Sequence, residues 1–460
     1  MSESGGIVVC PHDIQRTPVM TTQSMFDLGS AESVSTPKAP RIGESRMLKP
    51  NRGQVEWRMI APDGLLSPDH AARRVVAFVE KLDLSVLRDP IQSKEAQPGR
   101  PAIDPSLLFA LWVYATTRGV ASARELERLC RQHVAYQWIC GGVEVGAHTL
   151  SDFRAERREQ FDVLLTNSVA VMMKHGLVKV KRVAQDGMRV RASAGAASFR
   201  RKKTLEECLV EVEKHLAALR AIESDDAATA RSRAAKILGA EGRRDRLAQA
   251  LQQMPAVEVL KARNRKKGED PDKNPARVST TDPDARVMKM PDGGFRPAFN
   301  VQMATDTESQ VVLGVSITNE GSDRSQMLPM IEQIEQRHGA VPEQYLVDGG
   351  FVNLEQIDAV AEKHVEVLAP VPKPRNSTRD PHEPLESDSK AVAEWRKRMK
   401  TDKAKETYKQ RASTAECVNA NARKNGLTQF PSRGLVKALG CALLVALAHN
   451  CTRAVALGFV

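Results

Sequence analysis

Three short stretches decide the fold of this chain: Val183-Ala-Gln-Asp186-Gly-Met188, Tyr345-Leu-Val-Asp348-Gly-Gly350 and Tyr408-Lys-Gln-Arg411-Ala-Ser-Thr-Ala-Glu416. The two aspartates each end a short β-like run, 180–184 and 345–347, whereas the glutamate lies in a helical segment. Carboxylates at the ends of buried strands can be held close together, where divalent cations relieve their repulsion. Two such cations activate a water or a DNA 3′-hydroxyl and stabilise the leaving oxygen of a phosphodiester. The stretches therefore predict a metal-dependent DNA-cutting enzyme, although either Asp-Gly alone is better explained as a turn.

The composition is that of a soluble globular protein with a basic excess. The chain has 460 residues, enough for two or three domains. It carries 68 lysines and arginines against 57 aspartates and glutamates, a formal charge of +11. This excess suits a polyanionic partner, although many soluble proteins are mildly basic without one. Aromatic residues make up only 4% of the chain, so we do not expect a base-stacking platform for single strands.

The cysteines and the apolar stretches indicate a reducing cytoplasm. Seven cysteines are scattered without a Cys-x-x-Cys pair or neighbouring histidines, so neither a disulfide framework nor a zinc site is expected. The N-terminus lacks the basic and apolar regions of a secretory signal. The most apolar stretch, 438–448, is too short to span a bilayer and is expected to form a buried helix. We therefore expect a cytoplasmic protein with no membrane partner.

The first third of the chain divides into an irregular and a helical part. Residues 1–46 are rich in Ser, Thr, Pro and Gly, which predicts a disordered extension, with order beginning near Met47, an alternative start of translation. From 66 to 176 the pattern is helical, with helix starts predicted at Asp104 and Ser122. Short helices joined by glycine turns, with basic residues such as Arg154 near the last start, match helix-turn-helix geometry, but an ordinary bundle fits equally well. We predict a helical DNA-binding domain over 47–176 and a catalytic domain over 177–460.

A long insertion, about 200–268, interrupts the predicted sheet after the strand that carries Asp186. Leucines and valines spaced by four and three predict a helical hairpin, whose second helix is expected to stop at Pro255. Basic clusters flank it: Arg200, Arg201, Lys202 and Lys203 on entry, and Arg265, Lys266 and Lys267 on exit. Charge runs are usually solvated faces. Two of them at the ends of one element nevertheless favour a clamp on a DNA backbone.

The remaining pattern is that of an α/β protein. Strands are predicted at 298–305 and 311–317, followed by a helix over 322–338, the strand before Asp348, a further helix and a strand at 365–371. This order requires a mixed sheet flanked by helices. Within it, Asp323 is expected to be a helix N-cap, and Trp395 a core residue rather than a platform for an unpaired base.

These residues resemble those of the DDE transposases from bacterial insertion sequences. The resemblance extends from about residue 47 to the end of the chain, and 99–154 is similar to the InsH-type N-terminal domain of this family. Further landmarks are Ala192-Ser-Ala, Thr281-Asp-Pro-Asp-Ala285-Arg, Phe299-Asn-Val-Gln302, Arg433-Gly-Leu435 and Ala448-His-Asn450. The resemblance implies a ribonuclease H-like mixed sheet, with the helical N-terminal domain and the inserted hairpin attached to it.

The resemblance also implies the site and its chemistry. Asp186, Asp348 and Glu416 would be the catalytic, metal-binding triad for Mg²⁺, with Mn²⁺ as a substitute. Tyr408 would support the glutamate, and Arg411, Arg423 and Lys409 would contact DNA; Arg423 stands where many relatives have lysine. Lys409, Glu416 and Arg423 are spaced by seven, which on a regular helix places them on nearly the same face.

The implied activity is that of a nucleoid-associated transposase. It would bind the ends of an insertion sequence as double-stranded DNA, cleave there, and join the 3′ ends to target DNA, as a homodimer or higher oligomer. Two alternatives stay open: a catalytically inert DNA-binding repressor of transposition, and a ribonuclease H-like nuclease without strand transfer.

Overall fold

The computed structural model describes residues 59, 61–91, 101–221, 227–263, 265, 270, 274–373 and 379–460. All of them belong to one compact unit that extends from Met59 to Val460. The predicted disordered extension over 1–46, together with Lys266 and Lys267, lies outside the described residues.

The N-terminal part is helical, as predicted. It contains α1 (Ala71–Glu80), α2 (Ser85–Arg88), α3 (Pro105–Thr117), α4 (Ala123–Gln132), α5 (Val134–Cys140), α6 (Ala147–Glu156) and α7 (Arg158–Lys174). The predicted caps are confirmed: Asp104 accepts a hydrogen bond from the Ser106 backbone, and Ser122 accepts one from the Glu125 backbone. Each cap satisfies a backbone N–H group that has no partner within its helix.

A mixed sheet forms the centre of the fold. Its strands are β1 (Arg182–Arg191), β4 (Arg286–Lys289), β5 (Phe295–Asp306), β6 (Val312–Thr318), β7 (Gln344–Leu346) and β8 (Glu366–Leu368), while β2 (Phe199–Arg200) and β3 (Val278–Ser279) form a separate pair. β1 runs antiparallel to β5 and parallel to β7, which in turn runs parallel to β8. β4 and β6 both pair with β5 in antiparallel fashion. The predicted α/β class is therefore confirmed.

The insertion is a helical hairpin of α8 (Lys202–Ala221) and α9 (Ala227–Arg263) with its own small core. Leu205, Val212 and Leu216 of α8 pack against Leu247 and Met254 of α9. The prediction that the second helix stops at a proline is wrong, because α9 continues through Pro255 for two further turns. Proline cannot donate a backbone hydrogen bond inside the helix, and packing of the buried Val257 in the hairpin core offsets this loss.

The second half of the chain supplies helices that cover the sheet: α10 (Met327–His338), α11 (Leu354–Glu362), α12 (Lys390–Lys400), α13 (Asp402–Arg411), α14 (Cys417–Lys424) and α15 (Leu435–Ala456). A π-helical turn, Ala412–Glu416, joins α13 to α14. One hydrophobic core extends from the N-terminal helices through the sheet to α15 and includes Phe109, Phe161, Phe299 and Leu443.

The helix α15 is longer than the apolar stretch from which it was predicted. It has 22 residues, and by length and composition it is apolar enough to cross a membrane. However, 72% of its most apolar window is buried inside the fold, where it contacts α3, α7 and β6. These contacts are those of a core helix, which is what the sequence predicted.

Candidate active site

Asp186 lies in the middle of β1, and this corrects the expectation that it ends a strand. Its backbone pairs with Met303 of β5, and the strand continues for five residues beyond it. One carboxylate oxygen, Oδ1, accepts a hydrogen bond of 2.9 Å from the Gly187 backbone. The other, Oδ2, accepts one of 2.9 Å from Nδ2 of Asn419 on α14. The strand interior therefore holds this carboxylate in a fixed position, with only 19% of its side chain exposed.

Gly187 is required by close packing and not by a turn. Side chains alternate along a strand, so Gly187 faces the side of the sheet opposite to Asp186. A Cβ atom there would lie 2.3 Å from Oδ1 of Asp323 and 2.6 Å from Nε2 of Gln302. Asp323 accepts hydrogen bonds of 2.6 Å from both Asn300 and Gln302, and is not the side-chain N-cap that the sequence predicted. The glycine thus allows a polar cluster to pack directly behind Asp186.

Asp348 follows β7, the parallel neighbour of β1, as predicted. Its Oδ1 accepts a hydrogen bond of 2.7 Å from the Gly350 backbone, which begins a short 3₁₀ turn. Since β1 and β7 are adjacent, the charge of Asp348 reaches Asp186 and contributes to raising its pKa.

The third carboxylate, Glu416, is brought to Asp186 by one arginine. Arg411 donates a hydrogen bond of 2.7 Å to Oε1 of Glu416, and its NH1 lies 3.9 Å from Oδ2 of Asp186. Arg411 and Glu416 are five positions apart. The π-helical turn that begins after Arg411 and ends at Glu416 is wider than an α-helix, so it aligns positions i and i+5. Arg411 is only 14% exposed, whereas Glu416 is 55% exposed. A half-buried guanidinium therefore links the first and third predicted carboxylates.

The electrostatics of the site follow from burial. The pKa of Asp186 is raised to about 6, chiefly by burial and also by the charge of Asp348, against the lowering effects of Arg411 and of the hydrogen bonds from Gly187 and Asn419. Burial also raises the pKa of Tyr408, opposed by Arg411, whose guanidinium lies 6.0 Å from the tyrosine ring. Asp186 thus changes between its protonated and ionised forms at a pH close to neutral.

Three carboxylates of this kind are oxygen donors suited to Mg²⁺ or Mn²⁺. Among the residues that the structure describes, no three His, Cys, Asp or Glu side chains are already gathered as a metal cage. The donor chemistry nevertheless fits a divalent cation beside Asp186. The carboxamide of Asn419 contacts this aspartate through Nδ2, while its buried Oδ1 has no hydrogen-bond partner.

Asn419 is the residue that the sequence reasoning missed. It follows Glu416 by three positions, so on a helix the two side chains lie on neighbouring positions of one face. This spacing was the available signal, but an asparagine in a helix is usually read as a solvent-facing or capping residue.

The predicted DNA contacts fall into three groups. Arg200, Arg201, Lys202, Lys203, Arg265, Lys409 and Arg423 are exposed, and Arg411 is half-buried in the carboxylate site. Lys409 is paired with Glu406 at 2.6 Å, and the π-helical turn between it and Glu416 breaks the regular spacing by seven on which a shared face was predicted. The third group is Arg154 alone, which is buried.

Arg154 is wrongly predicted as an exposed DNA contact. Only 8% of it is exposed, its guanidinium lies 4.3 Å from the Trp112 ring, and it donates a hydrogen bond to the Ala121 carbonyl. Burial lowers its pKa. The side chain therefore connects α6 to α3 and to the loop before α4 and does not face solvent.

Other acidic and aromatic candidates are structural. Trp395 is 1% exposed and belongs to the core, as expected. Asp282 and Asp284 accept hydrogen bonds of 3.1 Å from the Gly434 and Leu435 backbones at the start of α15. Asp284 also accepts hydrogen bonds from two glutamines of α9, so the Asp-Pro-Asp turn joins the hairpin to α15.

Two family models match the sequence. The Transposase domain (DUF772) matches residues 61–156, and the Transposase DDE domain matches residues 272–451. No curated protein and no solved structure matches the chain. The second match includes Asp348, Arg411, Glu416 and Asn419, whereas Asp186 and the hairpin lie between the two matched segments.

Proposed function

This chain belongs to the DDE transposases of insertion sequences, and we propose that it binds the ends of its element, cleaves there and joins the 3′ ends to target DNA. In this proposal Asp186, Asp348 and Glu416 are the catalytic carboxylates. The observation that carries it is Arg411, which contacts carboxylates from β1 and from the α13–α14 segment while Asp348 approaches from β7.

The sheet supports a ribonuclease H-like core. Along the path β6-β5-β1-β7-β8, β5 runs antiparallel to both β6 and β1, and β7 and β8 run parallel to β1. This order is compatible with that fold and brings the middle of β1, where Asp186 lies, beside the end of β7. A single mixed sheet thus supplies two carboxylates, and the helix packed beside it supplies the third.

The chain's own residues prepare the site for phosphoryl transfer. Gly187 and Asn419 fix both oxygens of Asp186, and Arg411 lies between this carboxylate and that of Glu416. Asp186, Asp348 and Glu416 would hold Mg²⁺, which when bound supplies charge that activates the attacking hydroxyl and stabilises the leaving oxygen. Tyr408 and Arg411 contact each other beside the carboxylates, where the guanidinium can also meet a DNA phosphate.

Duplex DNA would be held by the helical part over 47–176 and by the basic ends of the hairpin. Arg200, Arg201, Lys202 and Lys203 are all exposed at the start of α8, in keeping with contacts to a phosphate backbone. Cleavage of two element ends and joining to one target favour a dimer or higher oligomer on DNA.

A reaction in vitro tests the proposal. The purified chain is incubated with Mg²⁺ or Mn²⁺, a labelled duplex carrying the DNA that flanks its gene, and a target plasmid. Joined products are expected. Cut products alone would leave a nuclease without strand transfer, and a bound but intact duplex would leave an inert DNA-binding repressor. Absence of both binding and cleavage would contradict the proposal altogether.

A further inference from the structure

We propose that Asn419 is a further member of the cation site, a positioning residue whose amide nitrogen orients Asp186 and whose carbonyl oxygen is a neutral donor on the cation's side. This inference rests on the proposed function, because it assumes a divalent cation at Asp186.

The first observation is the contact with Asp186. Nδ2 of Asn419 donates a hydrogen bond of 2.9 Å to Oδ2 of the aspartate, the same oxygen that Arg411 approaches to 3.9 Å. The opposite oxygen is held by the Gly187 backbone. Asn419 therefore controls the rotation of the carboxylate about its last bond, which decides where that oxygen can meet a cation.

The second observation is an unsatisfied atom. Asn419 is 3% exposed, and its buried Oδ1 has no hydrogen-bond partner among the residues that the structure describes. A buried amide oxygen without a partner costs free energy, so a purely structural position would be better filled by a residue without it. The oxygen belongs to the same planar amide that contacts Asp186. It is therefore one amide group away from the carboxylate, and amide oxygens are good ligands for hard cations.

The third observation is the place of Asn419 in the helix. It lies three residues after Glu416, on the buried side of α14, so one helical turn carries a charged donor that Arg411 contacts and a neutral residue that contacts Asp186 of β1. The same helix provides a matched comparison in Asn421, which is partly exposed and whose Nδ2 contacts Cys417 at 3.6 Å.

The test measures Mn²⁺ binding to the DNA-free full-length chain by electron paramagnetic resonance of free Mn²⁺, alongside thermal unfolding in EDTA. Asn419→Leu should weaken Mn²⁺ binding by about 10-fold or more, as expected for loss of a group that orients a ligand. Because it also removes the unsatisfied oxygen, its unfolding temperature should be unchanged or higher. Asn419→Asp should do the reverse: a lower unfolding temperature in EDTA, since it places a second carboxylate against Asp186, but tighter Mn²⁺ binding.

Asn421→Leu and Asn421→Asp are the controls on the same helix, and neither should change Mn²⁺ binding beyond about 2-fold, the scale of a distant exposed charge. A merely structural Asn419 would show the opposite pattern, with both variants less stable and Mn²⁺ affinity unaltered. If Asp186→Ala abolishes binding while both Asn419 variants bind like wild type, the inference fails and the proposed function stands. If wild type itself binds no Mn²⁺, the proposed metal site fails, and the inference with it.

Discussion

At the scale of single residues, the three carboxylates are expected to act as one unit. Asp186→Ala, Asp348→Ala and Glu416→Gln should each abolish cleavage and joining while leaving binding of element-end DNA within about 2- to 3-fold, because phosphate contacts elsewhere supply the affinity. Cleavage assays with saturating DNA, beside gel-shift titrations, check this. A variant that combines any two of these substitutions should be no less active than either single variant. Near-normal cleavage by any one variant would remove that residue from the site.

The pKa of Asp186 gives a prediction about stability. Burial raises it from 3.8 to about 6, so between about pH 4 and 6 the folded chain binds more protons than the unfolded chain. The contribution of Asp186 to the unfolding free energy should therefore fall as pH rises through this window, by up to about 3 kcal/mol at about 1.4 kcal/mol per pKa unit. Arg411, Gly187 and Asn419 oppose the shift, and Asp348 reinforces it.

Asp186→Asn should lack this fall. We compare the unfolding free energies of variant and wild type by denaturant unfolding in EDTA at pH 4.5 and 7.5. The unfolding free energy of the variant minus that of wild type should be about 2 kcal/mol larger at pH 7.5 than at pH 4.5. The relevant comparison is that difference, because it cancels any change in packing common to both pH values. A difference near zero would mean that Asp186 is ionised with an ordinary pKa.

The sequence was enough to name the candidate carboxylates, but not to predict which side chains surround them or are buried. Asp186, Asp348 and Glu416 lie in short motifs whose order is visible in the sequence. The buried state of Arg154 and the contact of Asn419 with Asp186 depend on which face of a helix packs inward, which a single turn of sequence does not determine. Gly187 was visible as a glycine, but the clash that requires it comes from Asp323, far away in the chain.

At the scale of elements, the helix α9 contains a proline that interrupts its backbone hydrogen bonding. Pro255 is exposed and lies inside the helix, where it lacks the N–H of an intrahelical hydrogen bond. Pro255→Ala should stabilise the hairpin by about 1–3 kcal/mol. Hydrogen exchange should report slower exchange of the amides around 251–263, with no change in the central sheet. Faster exchange would show that the proline fixes a bend that the hairpin core needs.

Element types were predictable because their periodicity is strong, whereas irregularities inside them were not. The π-helical turn Ala412–Glu416 is the clearest case. A sequence read with 3.6 residues per turn puts Lys409, Glu416 and Arg423 on one face, but the wider turn changes the register and instead pairs Glu416 with Arg411. Thr414 and Ala415 of this turn are buried, and tertiary packing of this kind is not encoded by local propensity.

At the scale of the whole molecule, the N-terminal helices and the sheet share one core through α15. Its residues pack against α3 and α7 on one side and against β6 on the other. Leu443→Ala, at a fully buried position, should destabilise the protein by about 2–5 kcal/mol. Hydrogen exchange should then accelerate in α7 and in β6 together.

Val436→Ala is the control for this prediction, since Val436 lies on the same helix but is 63% exposed and should change stability by less than about 0.5 kcal/mol. Acceleration in α7 alone after Leu443→Ala would mean that the helical part opens independently of the sheet. That outcome would favour the predicted boundary near residue 176 as a true domain boundary.

The charge of the whole molecule leads to the last prediction, which concerns the entry to the hairpin. Arg200, Arg201, Lys202 and Lys203 are consecutive and exposed, and a protein that neutralises phosphates loses affinity with salt in proportion to the number of contacts. Replacing all four with glutamine should weaken binding of element-end DNA, and should reduce the slope of log affinity against log salt by up to about 3.6. Fluorescence anisotropy between low and moderate salt measures both quantities. The control replaces Lys214, Arg231, Lys236 and Arg243, four exposed cations elsewhere on the same hairpin, and lowers the net charge equally. If both variants lose the same slope, the hairpin attracts DNA only through its total charge, and the entry cluster is an ordinary solvated face.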